Sequence, residues 1–222
     1  AFGRYEAERF SLDHQGSAGG WLMVHLAALT AGLYHALMGH GYHETEARRL
    51  TARVTWAAYE KMAVAPTLLS SVGATDTLDH IRRATDLFRH FPFSSPSYVM
   101  RDRDAGPEVV AFDVLKCPVA EYFQTRDLSR LCVESWCNLD FPLAEHWGGQ
   151  LDRTTTLAEG AERCDFRGRS AGPEREGATL EGGIHDNHPP RMAGLATSTQ
   201  RYKQYLYQHF RVKHTDWRAR YK

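Results

Sequence analysis

Three spacings of apolar residues follow one another along the chain. Residues 20–39, "GWLMVHLAALTAGLYHALMG", are apolar on nearly every side and carry no charge-bearing side chain other than His25 and His35. The run reads as a helix buried all round and ended by the polar "GHGYH". Residues 44–62, "ETEARRLTARVTWAAYEKM", place Ala47, Leu50, Val54, Ala57 and Ala58 on one helical face, with Arg48, Arg49 and Arg53 off it. Residues 76–90 form a further helix, with Asp76 at the N-cap and Leu78, Ile81 and Phe88 inward. The period then falls to two. "PSYVMRDRDAGPEVVAFDVLKC" reads as two strands about a "DAGP" turn, with Val110, Phe112 and Val114 alternating with Ala111 and Asp113. Pro118 opens a short helix carrying Glu121, Tyr122 and Phe123. "LCVESWCNLDFPLAEHW" (131–147) is largely helical, and "LDRTTTLAEG" and "CDFRGR" read as further strands or edge segments.

Helices first, then a small antiparallel sheet with short helices, predict an α+β fold. The expected organisation is one domain over 1–168, helical over about 1–92 and sheet over about 93–168. Residues 169–198, rich in Gly, Pro and Ser, read as a loop or linker. Residues 199–222 form a basic aromatic helix or tail, in which seven Lys or Arg face one Asp. Such a tail suits docking on a second subunit, so a homo-oligomer is an expected partner state.

Composition narrows the function classes. Lys plus Arg and Asp plus Glu are 27 each in 222 residues, so no global field recruits nucleic acid or an anionic membrane, and a small-molecule substrate is expected instead. Residues 21–39 are long enough to span a bilayer, yet their His, Gly and Ala content and the charged helix that follows favour a core helix. No signal peptide is visible. Four cysteines are too few for a disulfide framework and read as thiols of a cytoplasmic protein. No phosphate-binding loop or dinucleotide fingerprint occurs, so no cofactor is expected.

The chemistry concentrates around those cysteines. If 131–147 is helical, Cys137, Asp140, Phe141 and Ala144 share a face. Pro142 can break the helix and start another with Asp140 near its N-cap, which leaves Cys137 and Asp140 close in either case. Cys132 lies five positions before Cys137, about 500 degrees around a helix, so the two thiols are expected to point apart. That spacing, and the lack of any Cys pair separated by two residues, argues against zinc on Cys117, Cys132, Cys137 and Cys164; no metal is expected. "HDNH" (185–188) reads as an exposed loop, and His25 and His35 as core or pocket-lining. A free Cys is ordinarily a small buried hydrophobe. Here, however, Cys117 precedes Pro118, Cys137 is followed by Asn138 and Asp140, and Cys164 by Asp165 and Arg167. Thiol, carboxylate and amide recurring together are costly to bury without purpose. A carboxylate raises the pKa of a nearby thiol, so Asp140 suits proton shuttling or holding a cationic substrate group.

The motifs that carry this chemistry resemble a known family. "FDVLKCPVAEYF", "CNLDFPLAE" and "TLAEGAERCDFR" resemble the L-2-amino-thiazoline-4-carboxylic acid hydrolase family: a strand ending in Cys with Ala-Glu soon after, then Cys-Asn-x-Asp-Phe, then Gly-Ala-x-x-Cys-Asp-Phe. The matching residues are Cys117, Ala120, Glu121; Cys137, Asn138, Asp140, Phe141; and Gly160, Ala161, Cys164, Asp165, Phe166. The resemblance covers roughly 20–168; the chain departs from the pattern in continuing about 55 residues further.

The resemblance implies a cofactor-independent enzyme that opens a small heterocyclic carboxylate by hydrolysis at a C–N or C–S bond. Cys137 or Cys117 is then the nucleophile, or a thiol close to the reacting carbon. Asp140 is the acid/base or holds the amidinium, and Cys164 completes the catalytic group. Asp165, Glu121, Asn138 and His146 are candidate substrate-binding residues, and Arg153 or Arg167 is a candidate partner for a carboxylate, against the plainer reading of each Arg as a surface charge. Two alternatives stay open: a biosynthetic cyclase, lyase or rearrangement enzyme of secondary metabolism on the same scaffold, and a ligand-binding module with a structural Cys site.

Overall fold

The computed structural model describes residues 12–171, with Gly3, Tyr5 and Glu8. The expected linker starts too early, since Arg169 and Ser170 belong to the last described strand; its remainder from residue 172, the tail and the His185/His188 pair lie outside the described residues. Ala1–Ala171 form one compact unit.

Helix α1 (Ala18–Gly39) starts at Ser17, whose Oγ accepts the Gly20 N–H. It buries Met23, Val24, Ala27, Ala28 and Ala31 against α2 (Glu44–Ser71) and α4 (Pro118–Gln124). By length and composition α1 passes as a membrane span, and half of its most apolar window is buried within the fold. Its first turn fits tightly: a Cβ on Gly19 would lie 1.9 Å from the Pro92 carbonyl oxygen.

Helix α2 departs from expectation in two respects. Its buried face is Ala47, Arg48, Thr51, Ala52, Thr55, Trp56, Tyr59 and Ala63, while Val54, Ala57 and Ala58 are exposed. Two large rings outweigh alanines and one valine in apolar area. The threonines join them because Thr51 and Thr55 donate to the carbonyls of Ala47 and Thr51. Arg48, placed off the face by periodicity, is 4% exposed and donates to Glu134 at 3.1 Å. The helix also runs beyond Met62, through Pro66, to Ser71. The segment after the proline is tied down where Trp147 donates to Thr67 Oγ1 at 3.1 Å.

Helix α3 (Thr77–His90) is capped by Asp76 and buries Ile81, Ala84, Thr85 and Phe88 against α2 and the sheet. The four-stranded antiparallel sheet has the order β1 (Val99–Asp102), β2 (Val110–Lys116), β4 (Cys164–Ser170), β3 (Gly149–Asp152). Helices α5 (Ser129–Ser135) and α6 (Asp140–His146) sit between β2 and β3 in the chain, joined by a 3-10 turn over Cys137–Leu139. The fold is α+β. In the β2–β4 pairing Val114 faces Cys164, Phe112 faces Phe166 and Val110 faces Gly168. These six line one wall of an internal cavity. The alternate pairs, Asp113 with Asp165 and Ala111 with Arg167, therefore belong to the other face of the sheet.

Candidate active site

A cavity of about 160 Å³ lies between the sheet and helices α2, α3, α5 and α6, and all four cysteines line it. Its wall is largely apolar and aromatic. Its charged residues are Arg89, Asp140 and Arg153.

Each thiol is set by a break in regular structure. Cys117 follows β2 and stands at the N-cap position of α4, whose first residue is Pro118, without a side-chain cap bond; burial dominates and pushes its pKa well up. Cys164 opens β4, accepts the Leu157 amide at 3.2 Å, and is raised to about 11 by burial. Cys132 is on α5, and Cys137 begins the next turn. The helix ends between them at Trp136 (φ −130, ψ −63), so the helical wheel that separated the two thiols does not apply. Their sulfurs lie 3.9 Å apart.

Cys137 is the thiol best placed to ionise. Its pKa is lowered, first by the hydrogen bond from Cys132, against the opposing cost of burial. The charge of Arg153 and the hydroxyl of Thr156 add to the lowering, while Asp140 works against it. The Thr156 Oγ1 donates to Cys137 Sγ at 3.5 Å. A hydroxyl has one proton to give, and Thr156 accepts in turn from Cys164 Sγ at 3.6 Å and the Ala158 amide at 3.3 Å. A thiolate at Cys137 thus receives one S–H and one O–H donor. Cys132, its proton engaged there, is held well above the usual thiol range.

Asp140 starts α6 and is raised to about 6 by burial, with Arg153 pulling the other way. Arg153 is 7% exposed, contrary to its plainer reading as a surface charge. Its Nη1 donates to Asp140 Oδ2 and to the Cys137 carbonyl, both at 2.8 Å. Its guanidinium lies over Phe141 at 4.9 Å and Phe166 at 5.5 Å. A carboxyl that changes charge near neutrality, beside a favoured thiolate, supplies a nucleophile and a proton carrier in one cavity.

The sequence-predicted residues divide accordingly. Cys117, Cys137, Asp140, Arg153 and Cys164 line the cavity; Glu121, Asn138, His146, Asp165 and Arg167 do not. Asp165 accepts four hydrogen bonds of 2.6–2.9 Å from the N–H and O–H groups of Thr154 and Thr155. These hold it at about 2 despite burial. Arg167 donates to Asp113 at 2.9 Å on the outer sheet face. His146 stacks on Trp56 at 5.9 Å and lies 3.9 Å from Glu60, and Glu121 is exposed on α4. Sequence reasoning missed Cys132 and Thr156. Thr156 carried one local sign, a cap position before the 3-10 turn Leu157–Glu159. Among the described residues, no three of His, Cys, Asp and Glu stand together as a metal site.

Residues 23–167 match a protein-family model described as L-2-amino-thiazoline-4-carboxylic acid hydrolase. No curated protein and no solved structure matches the chain.

Proposed function

The chain belongs to the L-2-amino-thiazoline-4-carboxylic acid hydrolase family, and from that premise we propose that it adds water to a small 2-amino-thiazoline-like ring bearing a carboxylate, with Cys137 as nucleophile and Asp140 as proton carrier. The observation that carries this reading is the pairing, in one cavity, of a thiol whose ionisation two donors favour with a carboxyl raised to about 6. The cavity's size suits it: an apolar cavity of about 150 Å³ takes up benzene, and this one measures about 160 Å³.

The steps balance as a hydrolysis. The Cys137 thiolate adds to the amidine carbon, the ring C–S bond breaks, and Asp140 gives its proton to the departing sulfur. The carbon is left joined to Cys137 as an S-alkyl isothiouronium. Water then adds, ionised Asp140 takes its proton, and the C–S bond to Cys137 breaks to regenerate the thiolate. The product is an open-chain ureido thiol, heavier than the ring by one water. In this reading Cys117 and Cys164 stay protonated, Cys164 supporting Thr156, and Arg153 holds Asp140 in place. Four free thiols suit a reducing compartment such as the cytoplasm.

The test is intact-mass detection of product after incubation with 2-amino-thiazoline-4-carboxylate. A gain of one water is expected, reduced on the order of a thousandfold or more in Cys137→Ala, since removing a nucleophile disables the whole unit. Full turnover in a folded Cys137→Ala refutes the assignment. Conversion without a gain of water moves the reading to the cyclase or lyase alternative.

A further inference from the structure

The groups just assigned account for the amidine end of the ligand and leave its carboxylate without a partner. Arg153 is engaged with Asp140 and the Cys137 carbonyl. Arg167, the other arginine that the sequence suggested, is turned to Asp113 on the outer face of the sheet. Three polar atoms of the lining residues stand out instead. Tyr98 Oη, Trp136 Nε1 and Arg89 Nε are buried, belong to lining residues, and have no hydrogen-bond partner. Tyr98 is 4% exposed and shares its surroundings with Cys117, Cys132 and Asp140. Trp136 joins the two facing thiols in the chain, its amide donating to the Cys132 carbonyl at 2.8 Å. Arg89 lies over the Phe112 ring at 4.8 Å. Buried donors without partners cost stability, and folded proteins retain few of them.

The chemistry of these atoms selects what would satisfy them. An indole N–H and a guanidinium N–H only donate, and a phenol can donate. The missing group is therefore an acceptor. The acceptor left over in the reading above is the ligand's carboxylate, and the lining charge nearest these donors in kind is Arg89, which hydrogen-bonds Asp102 and lies 3.9 Å from Asp86, while Arg153 is paired with Asp140. The carboxylates beside Arg89, Asp86 and Asp102, are largely exposed, so solvent weakens their hold. An amidinium, which only donates, does not suit these atoms.

We propose that Tyr98 and Trp136 form a carboxylate-recognising subsite of the cavity, with Arg89 supplying the positive charge of the same wall, so that the ligand is held at its carboxylate there and at its amidine by Cys137 and Asp140. The proposal rests on the ring-opening reading above, and the test separates the two. Protection of Cys137 against iodoacetamide, followed by peptide mass, reports binding without requiring turnover. Two probes are compared: 2-amino-thiazoline-4-carboxylate, and 2-amino-thiazoline, which lacks the carboxylate. In the wild-type protein the carboxylate is expected to protect at a concentration at least tenfold lower. Tyr98→Phe, Trp136→Phe and Arg89→Met each narrow that ratio severalfold by weakening the carboxylate alone. Tyr98→Phe removes one oxygen, so its thermal midpoint stays level or rises, and an unchanged rate of unprotected alkylation confirms an intact site. An unchanged ratio in both Tyr98→Phe and Trp136→Phe overturns the subsite and leaves the ring-opening reading standing, as does a wild-type ratio near one accompanied by turnover. Failure of both probes to protect wild-type Cys137 overturns both readings.

Discussion

At Cys137 the balance of neighbours can be read one at a time. Cys132 and Thr156 hydrogen-bond to the sulfur and favour its ionised form, whereas the charge of Asp140 opposes it. Removing a donor must therefore raise the thiol's pKa, and removing the carboxylate must lower it. The rate of iodoacetamide alkylation against pH, followed at the Cys137 peptide, checks both signs. Cys132→Ala and Thr156→Val move the midpoint up, and Asp140→Asn moves it down. Asp140 has its own signature in stability. Its folded pKa of about 6 lies above the ordinary value, so the stability associated with its neutral form is fully present below the unfolded pKa of about 4 and is lost as pH rises through 6. A rise of about two units corresponds to roughly 3 kcal/mol. Between pH 4 and 7 the wild-type protein should lose about that much relative to Asp140→Asn in denaturant unfolding. Parallel curves for the two proteins would show that Asp140 is not held neutral by burial.

At the level of elements, strand alternation was legible and strand pairing was not. The period-two reading separated Val110, Phe112 and Val114 from Ala111 and Asp113, and the cavity takes the first set. The same alternation continues through β4, where it joins Cys164 and Phe166 to the cavity and turns Asp165 and Arg167 away. That outcome depends on register, a property of two strands together, so the residues around Cys164 could not be sorted from their own segment. Helical spacing failed at Cys132 and Cys137 for a local reason, the break at Trp136. On α2 it failed because rings and capped threonines outweighed small aliphatics. Asp165 still reaches the site through the chain. By holding Thr154 and Thr155 it fixes the segment that carries Arg153 on one side and Thr156 on the other. Hydrogen bonds to a charged group contribute about 1.5–3 kcal/mol each, and their losses overlap. Asp165→Ala should cost on the order of 3 kcal/mol and also raise the Cys137 alkylation midpoint, since Thr156 and Arg153 lose their anchor. A stability loss with no shift in that midpoint would confine Asp165 to supporting the fold.

Every described residue that lines the cavity falls between Met23 and Gly168, within the compact unit that ends at Ala171. The family match covers nearly the same span, 23–167. The last strand, β4, ends at Ser170, and the Ala171 amide donates to the Gly148 carbonyl at 3.2 Å, closing the sheet onto the turn before β3. The reacting groups and the proposed carboxylate subsite all belong to the unit Ala1–Ala171. A chain ended after Ala171 should therefore keep the thermal midpoint of this unit and its turnover within a few-fold, as read by calorimetry and by the one-water mass gain. The sequence of 199–222, with seven Lys or Arg against one Asp, is the segment expected to join copies of the chain. If it joins copies of the chain, the shortened protein should run at monomer mass in sedimentation while the full chain runs larger. Loss of turnover in a shortened chain that unfolds at the same temperature would mean that residues 172–222 contribute to the chemistry, and the cavity groups alone would no longer account for the reaction.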